Sequence, residues 1–405
     1  MKMKNRTANK ALCVLNFSGR FGGAEKRYAT LFNRLMTDGA DYYMVMNTRL
    51  YRLLVSSSVL LPHERIVLFN DGGDGVAGPA KSKRDFTGGG RASIAGKMIR
   101  FGGSCKYFLK TFLLWLRFSF FFIRKVNGLN IKKIYAVWQG GIWTWMWCRG
   151  FGIDLVYSVN ASDKLMLYNS VLKFFDSQYW ILQHATHLDF LSPSLVPEYQ
   201  RAMGVKLKGE KLVTPCSFVD YSNYYPVEPK KPWVVFLGRL EPLKNPELFL
   251  EAVAILAVES TFQEVTFFVM GTGSEQQNLQ QFVVDRGLQN VVFSGLHPHP
   301  WEILQQSSVF VSLQNSENYP SQSLLEAMAC ENGVVVTDVG DTRMLVTEKE
   351  GMLVAVDSGE VADAIRLLME NAEFCKTLGR AAREKVTSMH TLERFVAWFN
   401  QVMRF

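Results

Sequence analysis

The sequence predicts an α/β protein built from two doubly wound parallel-sheet domains in series. Three observations carry this. Short apolar runs that end in or beside glycine alternate with amphipathic helical patterns over most of the chain. A Pro-rich, polar stretch, YYPVEPKKP (224–232), interrupts that alternation and suits a linker. The length, 405 residues, is enough for two or three separate cores. The domains are therefore expected at 1–224 and 225–389, with a C-terminal helix at about 390–405 packing back on the first.

In the first half, ALCVLNF (11–17) reads as the first strand and AEKRYATLFNRL as the helix after it. IKKIYAVW and IDLVYSVN are later strands of the same half. Residues 71–97 are rich in Gly, Lys and Arg without an apolar period, which predicts a mobile loop. After the linker, PWVVFLG, VTFFVMG, VVFSG, VFVSLQ and GVVVTDVG read as strands. NPELFLEAVAIL, EQQNLQQFVVDRG, HPWEILQQS and LLEAMAC are the helices between them, and helical segments run from about 359 to the end. Open parallel sheets meet ligands at the carboxyl ends of their strands. Gly238, Gly271 and Gly295 fall there, and two such halves in series are expected to put a cleft between them.

The composition excludes general disorder: 48% of residues are hydrophobic and 20% charged, with no long polar tract. The six cysteines are scattered and form no Cys-x-x-Cys pair, which argues against a zinc site or disulfide framework and fits a reducing compartment. The first apolar run breaks at Asn16 without a small-residue cleavage site, so it reads as a strand and the chain as cytoplasmic. The net charge of +8 hides an asymmetry. Residues 1–150 hold 25 Lys+Arg against 7 Asp+Glu, a balance of +18, and the remainder balances at −10. A basic half of this kind faces an anionic partner.

Lys106, Lys110, Arg117 and Arg124 carry the question of which partner. The last three recur every seven positions in KYFLKTFLLWLRFSFFFIRK and form one stripe on a helix otherwise made of Phe, Leu, Trp and Ile. The uncharged runs are far below the roughly 20 residues that span a bilayer. Two readings stay open: a helix lying in a membrane interface with its cations at phospholipid headgroups, or a core helix whose basic side chains reach out to water. No nucleic-acid-binding motif appears, and the C-terminal half is acidic.

Four stretches carry candidate chemistry. In FLGRLEPLKNPELF, Arg239 and Lys244 follow the strand-ending Gly238 and precede Asn245-Pro246, a helix cap and first turn. Two cations beside a helix N-terminus make an anion site. In VMGTGSEQQNL, Gly271 and Gly273 permit close backbone approach to a ligand, a weak signal by itself. In FSGRFGGAEKR, glycines 19, 22 and 23 do not follow G-x-G-x-x-G, so a dinucleotide fingerprint is absent, yet a Gly-rich loop opens a helix. In ENYPSQSLLEAMAC, a loop leads into a helix whose first N–H groups form a second anion or hydroxyl site. Glu326 lies about one turn in, suited to a vicinal diol.

GRLEPLKNPELFLEA, the strand–Gly–turn series and ENYPSQSLLEAMACENGVVVTDVGDTR together resemble glycosyltransferase family 4, the retaining sugar transferases of the GT-B fold. The likeness covers roughly 210–350 and is patchy before it, although GGAEKR resembles the family's glycine-rich loop, TPCSFVDYSNYYP its interdomain segment, and LSPSLV (191–196) its last N-terminal-domain strand. The resemblance implies an acceptor-binding N-terminal domain and a C-terminal domain that binds a nucleotide sugar. Arg239 and Lys244 would hold the donor diphosphate, Glu326 the ribose, and Gly22 and Gly23 would approach donor and acceptor. The loop Tyr319, Pro320, Ser321, Gln322 and Ser323 would offer backbone N–H groups to the donor, beside the strand-end glycines Gly238, Gly271, Gly273 and Gly295.

The sequence departs from the family at two places. The position eight before Glu326 is Asn318 rather than Glu, and Glu317 stands one step earlier. Either residue could face the sugar, and spacing counted back along the helix favours Asn318. After the strand IDLVYSV the family often has a histidine, where this chain has Asn160. His184 and His187 are assigned no catalysis. The implied function is transfer of a sugar, with retention, from a UDP- or GDP-sugar to a hydroxyl of a lipid-linked or cell-envelope glycan. No resident cofactor or metal is expected, and a peripheral membrane location is. The alternatives are a non-catalytic nucleotide-sugar-binding or assembly subunit of the same fold, and a phosphorylase or hydrolase.

Overall fold

The computed structural model describes residues 9–17, 22–72, 112–159, 177–203, 207–317 and 319–404. The chain forms two compact units. The first comprises Met1–Leu191, Leu195–Val213 and Asn400–Phe405, the second Ser192–Ser194 and Thr214–Phe399.

The first unit runs β1 (Asn9–Leu15), α1 (Gly23–Thr37), β2 (Tyr42–Asn47), α2 (Thr48–Ser56), β3 (Ile66–Phe69), α3 (112–121), β4 (Ile131–Trp138), α4 (Gln139–Phe151), β5 (Asp154–Val159), α5 (Ser177–His184), β6 (His187–Phe190), α6 (Leu195–Met203) and β7 (Glu210–Val213). Its seven strands lie in the order β3-β2-β1-β4-β5-β6-β7 and pair in parallel. Helices cover both faces of such a sheet, so its strands are apolar on both sides. Ala11 to Leu15 are all buried, and so are Lys133 to Val137. LSPSLV is not a strand: β6 stops at Phe190, the chain turns, and α6 begins at Leu195, so the last strand of this unit is β7. The first strand likewise ends at Leu15, two residues short of its expected end. Asn16 leaves the ladder because its N–H donates to Asn47 Oδ1 at 3.0 Å and its carbonyl accepts from Asn47 Nδ2 at 3.0 Å.

The second unit runs β8 (Lys231–Leu237), α7 (Pro246–Leu256), β9 (Thr266–Met270), α8 (Gln276–Asp285), β10 (Val291–Gly295), α9 (Trp301–Leu304), β11 (Ser307–Ser312), α10 (Gln322–Ala329), β12 (Gly333–Thr337), β13 (Gly351–Val354), α11 (Ser358–Glu370), α12 (Ala372–Met389) and α13 (Leu392–Val402). The six strands are parallel in the order β10-β9-β8-β11-β12-β13. Strand order reverses between β1 and β4 in one sheet and between β8 and β11 in the other. These reversals are where doubly wound sheets open a crevice for ligand. The end of α13 groups with the first unit, where Tyr42 donates to Asn400 Oδ1 at 3.1 Å and Lys133 Nζ to Arg404 O at 2.8 Å.

A buried polar chain fastens α1 to the first sheet. Arg27 Nη2 donates to the Tyr28 hydroxyl at 3.2 Å, which lies 3.0 Å from both Tyr135 Oη and Ser158 Oγ, and Tyr135 donates to Asp189 on β6. Arg27 and Asp189 are almost entirely buried, so each offsets the other's charge through two phenols. Asp189→Ala is expected to cost about 3–5 kcal/mol, because it leaves Arg27 buried without its counter-charge; chemical denaturation of the two proteins measures the difference.

Candidate functional site

The site in the second unit begins with backbone crowding. Gly238 N–H donates to Met270 O at 3.0 Å, and Gly271 N–H to Gly295 O at 2.8 Å. A Cβ on Gly271 would stand 1.9 Å from Gly238 O, and one on Gly273 2.0 Å from Leu240 O. Gly271 also holds φ +131, a conformation open to glycine alone. The close approach these glycines permit is therefore to the neighbouring strand ends, backbone against backbone, which fixes where the chain leaves β8.

It leaves into Arg239 and then a single 3₁₀ turn, Pro242–Lys244. Asn245 was expected to cap α7 with its side chain. Instead it takes a left-handed conformation, φ 53 and ψ 50, and makes no side-chain cap bond; it joins the 3₁₀ turn to α7, with Pro246 as the first helical residue. Asn315, in the loop after β11, donates its side-chain N–H to Pro242 O at 2.8 Å and its backbone N–H to Leu243 O at 3.4 Å. This stitches the lysine turn to the loop that carries Glu317, a link no local pattern announces. Burial, and then the charge of Arg239, bring the Lys244 ammonium down to about 8. No carboxylate among the described residues offsets it. Two cations held together, one of them half-buried, gain most from a multiply charged anion.

The loop before α10 is pinned at several points. Glu317 accepts the Tyr319 N–H at 2.8 Å, the Asp341 N–H at 3.1 Å and the Ser194 hydroxyl at 3.4 Å, while Asp341 Oδ2 accepts the Ser194 N–H at 2.9 Å. Burial raises the Glu317 carboxyl above the usual range, with the backbone bonds working against that shift. Its carboxylate thus has a structural occupation in holding two loops and Ser194 together. Asn318 lies outside the described residues. Tyr319 is buried, its ring 6.4 Å from that of His390, which sits 3.2 Å from Ser217 O and is lowered by burial to about 4. Gln322 Nε2 donates to Ser217 Oγ at 2.7 Å. The expectation that the whole run Tyr319–Ser323 presents N–H groups needs correcting. Pro320 has no N–H, and that of Tyr319 is committed to Glu317, which leaves Ser321, Gln322 and Ser323. Ser321 occupies the N-cap of α10 but makes no side-chain cap bond, so the first-turn donors are not capped from within. Glu326, one turn on, is half-buried and takes the hydroxyl of Tyr224, with Tyr221 close enough to feel its charge.

In the first unit, Gly22 is the N-cap of α1 and Gly23 its first residue. Glu25 accepts the Gly22 N–H at 2.9 Å and Asn16 Nδ2 at 2.6 Å, so the helix start is tied to the end of β1. Gly19 and Asn160 lie outside the described residues. His184 packs between Trp145 and Trp180, and burial, with Arg149 and Lys208, lowers its pKa. His187 stands 3.3 Å from Glu210 at the β6–β7 edge. Trp138, unmarked by the sequence reading, ends β4 at φ 47, ψ −115, a conformation that costs a bulky residue about 1–3 kcal/mol. Lys106 and Lys110 lie outside the described residues. Arg117 and Arg124 are exposed, Arg117 donating to Asn70 O at 3.3 Å and Arg124 lying over the Phe120 ring. Among the described residues no group of three His, Cys, Asp or Glu could hold a metal ion, and no helix is long and apolar enough to cross a membrane.

Residues 221–385 match the family model described as glycosyl transferases group 1. The chain is 29% identical over 163 residues to a D-inositol 3-phosphate glycosyltransferase of Paenarthrobacter aurescens, covering 38% of this chain and 40% of that protein. It is 27% identical over 178 residues to the Campylobacter jejuni GalNAc-alpha-(1->4)-GalNAc-alpha-(1->3)-diNAcBac-PP-undecaprenol alpha-1,4-N-acetyl-D-galactosaminyltransferase, covering 43% and 48%. The chain thus spans less than half the length of these curated relatives. In structure it is similar to Anabaena Alr3699/HepE, solved in complex with UDP and glucose, with a TM-score of 0.72 at 16% identity over 98% of this chain and 99% of that one.

Gly273→Ala is expected to destabilise the protein by about 1–3 kcal/mol, since backbone oxygen cannot step aside for the new methyl group. Gly150→Ala in α4, where a Cβ would meet nothing within 4 Å, is expected to be neutral or stabilising. Thermal melts of the two variants test the contrast.

Proposed function

We propose that this chain, a GT-B protein whose residues 221–385 form a group 1 glycosyl transferase domain, moves a sugar from a nucleoside diphosphate sugar to a hydroxyl of a glycan, with retention. The observation that carries the reading is the pair Arg239 and Lys244 at the end of β8, with no carboxylate among the described residues to offset Lys244. As the bond to the anomeric carbon breaks, negative charge grows on the leaving diphosphate. Arg239 and Lys244 would stabilise it there, and the first-turn N–H groups of α10 would add to them. Gly271, Gly273 and Gly295 hold the strand ends that aim the cations, and Glu326 would exchange its Tyr224 bond for the ribose diol. Asn318 is the residue assigned to the donor sugar, since Glu317 is engaged by two backbone N–H groups and Ser194. The Anabaena neighbour was solved with UDP and glucose, so UDP-glucose is the first donor to test.

A lipid-linked acceptor at an anionic membrane surface fits the same chain. The Campylobacter relative is named for a polyprenyl-diphosphate glycan. On α3 and the turn that continues it, Phe118, Phe122 and Val126 are buried, while Phe112, Leu113, Leu116, Phe120 and Ile123 remain 40–61% exposed beside Arg117 and Arg124. No Asp or Glu occurs from residue 112 to 151. An apolar face with cations and no carboxylate suits a headgroup interface.

Lys244→Ala is expected to lower turnover roughly 10²–10³-fold with the fold intact. A steady-state assay within threefold of wild type would remove this role. UDP affinity should be level up to about pH 8 and weaken about tenfold per pH unit above it, because Lys244 loses its proton there in the free protein and must regain it on binding. Lys244→Arg, charged throughout, should flatten that profile in calorimetry. The anomeric proton coupling of the product reports retention. Flotation with vesicles containing anionic lipid should recover the protein at low salt and lose it in Arg117→Glu/Arg124→Glu; no flotation of wild type would sink the membrane reading.

A further inference from the structure

β4 is buried from Lys133 through Val137 and then delivers Trp138, 46% exposed, at its last position. Trp138 pairs there with Leu15, the last residue of β1, at the point where the strand order of the first sheet reverses. Ligands of doubly wound sheets enter at that reversal. The φ and ψ of Trp138 lie in a region that glycine enters freely and a Cβ-bearing residue does not.

The residues that follow it are closely packed. A Cβ on Gly140 would stand 2.4 Å from Cys13 O, and one on Gly141 2.4 Å from the Tyr157 ring, so the start of α4 is drawn tightly onto β1 and β5. Gln139 Oε1 accepts the Phe17 N–H at 3.3 Å, which ties the residue after Trp138 to the chain leaving β1. The protein has nine tryptophans. Trp115, Trp143, Trp145, Trp147, Trp180, Trp233, Trp301 and Trp398 each pack against another aromatic ring. Trp138 has no such contact among the described residues. Nearly half of this side chain is exposed, on a backbone held in a strained conformation.

We propose that Trp138 is the platform on which a pyranose ring of the acceptor glycan stacks. The proposal rests on the transferase reading above. A pyranose offers a face of C–H groups ringed by hydroxyls. The C–H face suits the π face of an indole; Asn16 and Gln139, already bonded to Asn47, Glu25 and Phe17, stand at the same two strand ends as a polar surround. A rigid aromatic at a sheet edge gives a glycan orientation without demanding one particular hydroxyl pattern.

The test uses the full chain and a panel of methyl α- and β-glycosides of common hexoses and N-acetylhexosamines, titrated by proton NMR. At least one glycoside is expected to bind with its ring C–H protons shifted upfield by the indole. Trp138→Gly should weaken that Kd about tenfold or more and abolish the upfield shift. Trp138→Phe should keep it within about threefold. The thermal midpoint of the glycine variant should hold or rise, since glycine relieves the backbone strain, and its UDP affinity should be unchanged. A merely structural tryptophan would instead lower the midpoint. No glycoside with upfield shifts, or an equal Kd in the glycine variant, overturns the proposal. The two readings separate cleanly. Transfer whose acceptor KM ignores Trp138→Gly removes the platform and keeps the transferase. Glycan binding that depends on Trp138, without transfer from any donor, keeps the platform and removes the transferase.

Discussion

The second unit is organised around backbone packed on backbone at the ends of β8 and β9. Gly271 and Gly273 lack the Cβ that would collide with Gly238 O and Leu240 O. Because no side chain separates these strands, the chain leaving β8 has one path. That path sets Arg239 near Lys244 and makes the lysine turn short enough for Asn315 to hold from the next loop. The electrostatic consequence follows from geometry: burial and a like charge together pull Lys244 to about 8. A cation held in that way gains most from a multiply charged anion, which is the role proposed for this sheet edge.

The loop before α10 depends on a different device. Glu317 gathers the N–H groups of Tyr319 and Asp341 and the Ser194 hydroxyl, and Gly340 leaves room for it: a Cβ there would stand 2.4 Å from Glu317 Oε2. From the other side Tyr319 is held near His390, and Gln322 by Ser217. The loop is thus over-determined, and the uncapped start of α10 is fixed in place. Glu317, one of the two candidates for the donor sugar, thus also braces this loop.

In the first unit the corresponding rigidity comes from buried polarity. Arg27, Tyr28, Tyr135 and Asp189 clamp α1 to the sheet, and Glu25 and Asn47 secure the residues that leave β1. At this fixed edge, Trp138 is a large aromatic side chain that stays 46% exposed.

Much of this was determined locally. The parallel two-sheet fold follows from apolar runs too short for helices, most of them closed by glycine and separated by amphipathic segments; the strands and helices of the second half fall close to where that alternation puts them, except that β13 was not foreseen and α9 is shorter than expected. The positions of Arg239 and Lys244 after a strand end, and of Glu326 in the first turns of a helix, were legible because such elements declare themselves within a few residues. What tertiary structure decided lies at longer range. Hydrogen bonds from Asn315 to the Pro242–Lys244 turn, from Asp341 and Ser194 to Glu317, and from Tyr224 to Glu326 join residues far apart in the chain. The turn at LSPSLV and the left-handed Asn245 depend on where the next element must go, which overrides a residue's own preference. The tight start of α4 after Trp138 depends on Cys13 and Tyr157, on two strands that the stretch AVWQGG gives no sign of.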